Sequence, residues 1–346
     1  MATMEDVTEG RSVPEVLAWS RTLVEPALRA AVDTLPTSIR RVAGYHFGWW
    51  DENGRPAGVA GGKALRPTLA LLTCMAVGGD PTTAVPAAVA VELVHNFSLL
   101  HDDVMDGDVT RRHRPTVWCA FSTSAAILVG DALLTLAFDV LAASRHPVAG
   151  TGVRMLSTAV QDLVDGQCAD ISFEERADVG LSEALSMAEN KSGALLGCAS
   201  ALGASFGGGG PEQIAHLHGF GERLGLAFQV IDDLLGIWGD PEMTGKPVHS
   251  DLHSRKKSLP VVAALTSGTP AGQELAALYL RGEPLSGLEL SHTAELIDSA
   301  GGRSWSRTQA DSLLAEALGH LRAAKPVPRT AGELRALAGL ITRRDH

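Results

Sequence analysis

Residues Val91 to Trp118 read VELVHNFSLLHDDVMDGDVTRRHRPTVW, an apolar run that ends in a cluster of acids followed by arginines. Asp102 and Asp106 are four apart. On a helix that is about 40° of rotation and one turn of rise, so both carboxylates point the same way. Such a pair is repulsive unless a cation sits between the two groups. Val91, Val94, Leu99 and Leu100 are apolar enough to bury much of this helix. Acids at the end of such a helix are unfavourable unless something binds them.

A second segment repeats the pattern far along the chain. In LGLAFQVIDDLLGIWGDPEMTGKP, from Leu224, the acids Asp232 and Asp233 again end an apolar helical run, and Asp240 follows about two turns later. Lys246 and Lys256 lie just beyond, in loop-like sequence. Either cluster alone reads most simply as a solvated helix end. Two clusters with the same apolar approach and basic neighbours describe instead a cleft for hard divalent cations that hold a diphosphate. Mg²⁺ suits carboxylate, water and phosphate oxygens.

The rest of the chain is consistent with helices. Among 346 residues, 45 % are hydrophobic and only 5 % aromatic, a composition that favours packed helices over a β-sandwich. From about Val13 apolar residues recur at spacings of three and four, with no sustained strand-like alternation. Loop compositions fall at Asp51 to Gly62, Gly78 to Thr83, Gly207 to Pro211, Pro241 to Pro247 and Thr266 to Gly272, and none resembles an interdomain linker. The four glycines from Gly207 lack the G-K-[ST] ending of a phosphate loop and read as a connector. The expectation is one large all-α domain over residues 1–346, a helical bundle around a deep central cleft, with about residues 1–12 disordered.

A net charge of −11 disfavours nucleic acid as a partner but not a small diphosphate bound through metals and local cations. Cys74, Cys119, Cys168 and Cys198 form no C-x-x-C pair and read as reduced core residues of a cytoplasmic protein. Glu5, Asp6 and Glu9 stand where a signal peptide needs basic and apolar residues. The longest apolar candidate, Ala125 to Ala143, is interrupted by Asp131 and Asp139 and reads as a buried helix, so no transmembrane segment is expected.

Six segments in order carry a resemblance. They are GGKALRP from Gly61, HNFSLLHDDVMDGDVTRR, GQCAD at Gly166 to Asp170, NKSGALLG from Asn190, FQVIDDLLG, and GKPVHSDLHSRKKSLP from Gly245. Together, over about residues 61–260, the chain resembles the trans-isoprenyl diphosphate synthases, the polyprenyl synthetases that include farnesyl and geranylgeranyl diphosphate synthases. The resemblance implies a helical homodimer that condenses isopentenyl diphosphate with dimethylallyl, geranyl or farnesyl diphosphate, using three Mg²⁺ ions per active site. Carried over by position, Lys63, Arg66, His95 and Arg112 hold isopentenyl diphosphate. Arg111, Lys191, Lys246 and Lys256 contact the allylic diphosphate, with Gln229 and Ser192 near the developing cation. Asp102, Asp106 and Asp232 are the direct Mg²⁺ ligands, and Asp103 and Asp233 support them through waters or basic partners.

Three features depart from the pattern or tune it. Gly236 replaces the third acid of the second motif, leaving Asp240 as a partial substitute, and Lys257 competes with Lys256 for the loop-lysine role. Ser98 lies one turn below Asp102 on the same face and Phe97 on its flank. With no insertion between Asp103 and Asp106, this pair resembles geranylgeranyl diphosphate synthases and implies a twenty-carbon product. The alternatives are a class I terpene cyclase on the same fold, which needs no isopentenyl diphosphate pocket, and a non-catalytic subunit of a heteromeric synthase. Arg343 and Arg344 read as a solvated tail.

Overall fold

The computed structural model describes residues 10–57, 62, 64–241, 248–279, 281 and 285–342. Lys63, Lys246, Arg343 and Arg344 lie outside the described residues, as does most of the amino-terminal stretch expected to be disordered. The helices are α1 (Val13–Val32), α2 (Thr37–His46), α3 (Leu65–Ala76), α4 (Val85–Met105), α5 (Val117–Ala120), α6 (Thr123–Ala143), α7 (Ala149–Glu175), α8 (Leu181–Ala188), α9 (Ala194–Phe206), α10 (Pro211–Trp238), α11 (Ser250–His253), α12 (Leu259–Leu265), α13 (Pro270–Tyr279), α14 (Gly287–Ser299), α15 (Gly302–Ala323) and α16 (Pro328–Thr342). The expected all-α class holds. One small departure is a two-residue ladder between β1 (Thr110–Arg111) and β2 (Arg114–Pro115).

The chain forms two compact units. The first comprises residues 1–158, 198–218 and 321–337, and the second comprises 159–197, 219–320 and 338–346. In the first unit α4 is the central element. Val89, Val91, Leu93, Val94 and Leu100 are almost wholly buried, and α4 packs against α3 and α6. Pro86 sits in the first turn of α4, where its missing N–H has no helical partner to lose. Arg11 and α16 are joined in this unit. Its backbone N–H, Nε and Nη2 all donate to Glu333, at 3.1, 2.9 and 2.8 Å. Burial alone would raise the Glu333 pKa, but these bonds and the Arg11 charge hold it below its ordinary value.

Two sequence expectations are corrected here. The apolar stretch 125–143 does form α6, but only one face is covered. Leu133, Leu136, Ala137 and Leu141 are buried, while Ile127 and Leu128 are exposed. By length and composition alone, the stretches Pro81–Met105 and Thr123–Ala143 are apolar enough to cross a membrane, the first being the more buried. Of the cysteines, Cys74 and Cys198 are buried as expected, whereas Cys119 and Cys168 are exposed and all four are unpaired.

In the second unit one core gathers Phe173, Met187, Ile231, Leu234, Leu259 and Leu313. A second gathers Ile237, Leu252, Val261, Leu275 and Ile297. α10 contributes to both through residues three and six apart, as a helix with one apolar stripe must. The glycines from Gly207 form the turn between α9 and α10, a plain connector as the sequence suggested.

Candidate active site

In the first unit the acidic motif ends α4. Asp102 lies in the last helical turn and Asp106 is the C-cap residue, whose N–H donates to the Asp102 carbonyl at 2.8 Å. The two are therefore one turn apart at the helix end. Asp103 points elsewhere and is buried. Its Oδ1 accepts Arg111 Nε at 2.6 Å and lies 2.6 Å from Nη2 of the same guanidinium. Its Oδ2 is buried without a hydrogen-bond partner. Burial raises the Asp103 pKa and the Arg111 charge opposes that rise.

The arginine pair is presented by the β1–β2 hairpin. Arg112 and His113 form its two-residue loop, with φ of 52° and 60°. Two left-handed residues in succession match the type I′ turn that suits the twist of a hairpin. For non-glycine residues this costs roughly 1–2 kcal/mol each, so the surroundings must hold the turn. Arg114 is one anchor, donating to the carbonyls of Tyr45 at 3.1 Å and Trp50 at 3.0 Å, with its guanidinium over the Tyr45 ring. Gly62 is another contact, because a Cβ there would lie 2.8 Å from Arg112 Nη2.

A pocket in this unit is lined by His46, Phe47, Asp103, Arg111 and Arg112 among others. His46 Nε2 lies 3.1 Å from Asn96 Oδ1, and Asn96 Nδ2 donates to the Glu92 backbone carbonyl at 2.7 Å and to Glu92 Oε1 at 3.1 Å. That chain makes His46 the donor to Asn96. Burial, then the charges of Arg112 and Arg111, pushes the His46 pKa down to about 3. His95 is depressed well below its ordinary value by burial and then by Arg66 and Arg112. Burial pushes Glu92 up, opposed by Arg66. Arg66, His95 and Arg112 thus share one electrostatic neighbourhood around Glu92. The sequence reading omitted His46, Glu92, Asn96 and Arg114, and only Glu92 carried a signal, as an acid inside an apolar run.

In the second unit Asp170, from α7, is the centre. Its Oδ2 accepts Lys191 Nζ at 2.6 Å and lies 3.5 Å from Lys256 Nζ. Burial alone would raise its pKa, but Lys256 and Lys191 more than offset this and hold it low. Lys191 and Ser192 sit in one π-helical turn, Glu189–Gly193. Such a turn re-aims the side chains it carries. Ser192 Oγ donates to Gln229 Oε1 at 2.5 Å, Gln229 Nε2 donates to Asp233 Oδ1 at 2.7 Å, and Asp233 Oδ2 accepts the Leu259 N–H at 2.8 Å. Both Asp233 oxygens are therefore engaged, and burial followed by the Asp251 charge pushes its pKa up to about 7. Asp232 and Asp240 are exposed. Lys257 Nζ donates to the carbonyls of Phe173 and Glu174, the last at 3.1 Å, so it closes the end of α7 while Lys256 faces Asp170. Gln167, beside the Asp170 turn, is buried with neither amide atom hydrogen-bonded.

Among the described residues no group of three or more His, Cys, Asp or Glu side chains is placed to hold a metal ion by itself. Magnesium does not require one. It keeps several waters and takes one or two carboxylates together with substrate phosphate oxygens. Hard oxygen donors at Asp102, Asp106 and Asp232, and the orphaned buried Oδ2 of Asp103, fit that chemistry.

Acids that suit a hard cation, together with a set of half-buried cations in each unit, point to an enzyme class that handles diphosphates. The comparisons agree. The polyprenyl synthetase family profile matches residues 53–288. A (2E,6E)-farnesyl diphosphate synthase of Mycobacterium tuberculosis is 45 % identical over 338 residues, covering 97 % of this chain and 94 % of that one. A geranylgeranyl diphosphate synthase of the same organism is 44 % identical over 321 residues, covering 92 % and 91 %. The crystal structure of a polyprenyl synthetase from Streptomyces coelicolor A3(2) superimposes with a TM-score of 0.91 at 49 % identity, covering 95 % of this chain and 99 % of that one. The chain belongs to the polyprenyl synthetase family, the trans-isoprenyl diphosphate synthases, and is a prenyltransferase with the all-α isoprenoid synthase fold. The family is magnesium-dependent in general.

Proposed function

We propose that the protein condenses isopentenyl diphosphate with an allylic diphosphate, head to tail, to a linear all-trans product, and that this product is geranylgeranyl diphosphate. The observation that carries the condensation is the presence of two separate cationic sets. Lys191 and Lys256 share Asp170, whereas the charges of Arg66 and Arg112 act on His95 and Glu92. A reaction between two diphosphates requires two anion sites, whereas a cyclase requires one.

Asp102, Asp106 and Asp232 would hold magnesium, three ions in all, with Asp103 and Asp233 as supports. Held by these carboxylates together with the allylic diphosphate, magnesium would supply positive charge that stabilises the leaving group. Lys191, Lys256 and Arg111 meet the leaving diphosphate with charge-assisted hydrogen bonds. Lys63 and Lys246, outside the described residues, join the isopentenyl and allylic sets respectively by family position. Gln229 is fixed by Ser192 and Asp233, so its amide oxygen stays turned the same way as the carbocation develops. That is preorganised electrostatic stabilisation. His95, kept neutral by burial and by neighbouring arginines, serves as a hydrogen-bond donor to isopentenyl diphosphate, leaving Arg66 and Arg112 to supply the charge. The proton lost after bond formation goes to the departing diphosphate, so no protein base is assigned.

Phe97, buried beneath the first acidic motif with its ring edge-on to His101 at 4.7 Å, supports a floor for a twenty-carbon chain. Two curated activities at similar identity, farnesyl and geranylgeranyl, make product length the point to test. The uncovered apolar face of α6 at Ile127 and Leu128 supports a homodimer, which light scattering on the purified protein would report as twice the chain mass.

The deciding experiment incubates purified protein with isopentenyl diphosphate, Mg²⁺ and, separately, dimethylallyl, geranyl and farnesyl diphosphates. The dephosphorylated products are then identified by gas chromatography with mass detection. Geranylgeraniol is expected. A different linear alcohol overturns the chain length alone. A cyclic hydrocarbon formed without isopentenyl diphosphate replaces condensation by cyclisation, and inactivity of the chain by itself indicates a subunit role.

A further inference from the structure

Arg255, Lys256 and Lys257 are three cations in succession, and the structure gives each a different acceptor. Arg255 donates through Nη1 to the carbonyl of Arg281, just beyond α13. Lys256 Nζ faces Asp170 on α7, and Lys257 Nζ donates to the Phe173 and Glu174 carbonyls at the end of the same helix. The divergence begins in the backbone. α11 ends at His253, with Ser254 as its C-cap. The Arg255 N–H then donates to the Leu252 carbonyl at 3.1 Å, and the Lys256 N–H to the Asp251 carbonyl at 2.8 Å. Those two bonds are the paired closure of a Schellman motif, in which the first residue past the cap is left-handed and usually glycine. Here that residue is Arg255, with a φ of 53°. A residue with a Cβ is disfavoured in this conformation, so its surroundings must hold it there. Arg281 is itself tied down, since its Nη1 donates to Glu289 Oε1 at 2.9 Å and Glu289 closes the capping box of α14 with Ser286.

We propose that Arg255 is a positioning residue for the allylic diphosphate: its left-handed backbone aims Lys256 at Asp170, and its side-chain bond to the Arg281 carbonyl offsets the cost of that conformation. This rests on the proposed prenyl diphosphate chemistry, in which Lys256 meets the allylic diphosphate. Arg255 touches neither substrate nor metal in this role and acts only through the next residue, whose N–H makes the second bond of the motif. A turn that relaxes out of the left-handed region breaks that bond and swings Lys256 away from Asp170. Glycine would hold the same turn for want of a side chain. Arginine holds it by an anchor, and the anchor links the cap of α14 to the placement of Lys256.

The test measures, by calorimetry on the full chain with Mg²⁺, the Kd of geranyl thiolodiphosphate, an allylic analogue that resists ionisation, and separately that of isopentenyl diphosphate. Arg255→Ala keeps the Cβ and loses the anchor. It should bind the allylic analogue about tenfold more weakly, the factor to which the left-handed penalty corresponds, with isopentenyl diphosphate unchanged. Arg255→Gly loses the same anchor but adopts the turn freely, and should stay within about threefold of the wild type for both ligands. Unchanged affinities in Arg255→Ala, with only a lower urea midpoint, overturn the inference by making Arg255 merely structural. An equal loss for both ligands, or a glycine variant as weak as the alanine one, overturns it as well. Should Arg255→Ala fail to fold, the glycine variant decides alone: near-wild-type allylic affinity upholds the turn as what Lys256 needs, and a tenfold loss refutes it. A wild type that does not bind the allylic analogue with Mg²⁺ sinks the prenyl diphosphate reading itself, which separates the two failures.

Discussion

Gly166 lies against the backbone of Lys191, so closely that a Cβ at 166 would sit 2.5 Å from the Lys191 nitrogen. The first residue of the G-Q-C-A-D segment thus makes room for the π-helical turn that presents Lys191 and Ser192. Gly166→Ala should push that turn away from α7. Overpacking of this kind costs about 1–3 kcal/mol, measurable by urea denaturation. Because it also moves Lys191, the KM for the allylic diphosphate should rise about tenfold or more while that for isopentenyl diphosphate changes little. A stable variant with unchanged KM for both would refute the link.

Lys256 and Lys257 should separate cleanly. Lys256→Ala removes a cation beside Asp170 and should lower kcat/KM for the allylic substrate by about 10²-fold, the size expected for a lost charged contact to phosphate. Lys257→Ala frees two carbonyls at the end of α7 and should lower stability by about 1 kcal/mol with near-normal kinetics. Reversed phenotypes would exchange the two roles.

His46 makes stability depend on pH. Its folded pKa of about 3 lies below the ordinary 6.5, so as pH falls through 6.5 the unfolded chain gains a proton that the folded chain does not. The contribution is full above 6.5 and is lost as the pH falls towards the folded value. Between pH 6.5 and 5 this amounts to about 2 kcal/mol. His46→Gln, which keeps an N–H for Asn96, should show a shallower loss of denaturation midpoint over that range. Parallel pH profiles would remove His46 from the account.

Phe97→Ala should lengthen the product beyond twenty carbons by opening the space beneath Asp102. The measurement is the distribution of dephosphorylated products with farnesyl diphosphate as primer. An unchanged distribution would move the floor to another residue.

Much of this was legible in sequence because helices write their packing into residue spacing. The pair Asp102 and Asp106 falls one turn apart, as its interval of four requires, and the burial of Val91, Val94 and Leu100 follows from their places on the apolar face. What escaped reading has no local signature. The π-helical turn at Lys191 differs from an ordinary helix by one hydrogen-bond step, which composition does not record. The left-handed pair Arg112 and His113 contains neither glycine nor asparagine, so nothing in it marks a tight hairpin. The sequence offered Asp240 beside Gly236 because the two are near in the chain. In the structure the carboxylate of Asp251 lies against Gly236, and sequence distance is blind to that contact. The exposure of Ile127 was equally hidden, since an apolar residue reads alike whether its own chain or another covers it.

The clasp of Arg11 on Glu333 joins residues 322 apart, and this bears on how the protein is made. Chains emerge from the ribosome at about 5–20 residues per second and fold by domains as they appear. The first compact unit does not obey that order, because it needs residues 321–337 to be complete. Its amino-terminal helices must wait, partly assembled, for nearly the whole polypeptide before Arg11 finds its buried carboxylate. A nascent chain halted before α16 should therefore remain protease-sensitive in α1, even with residues 13–32 long since outside the tunnel.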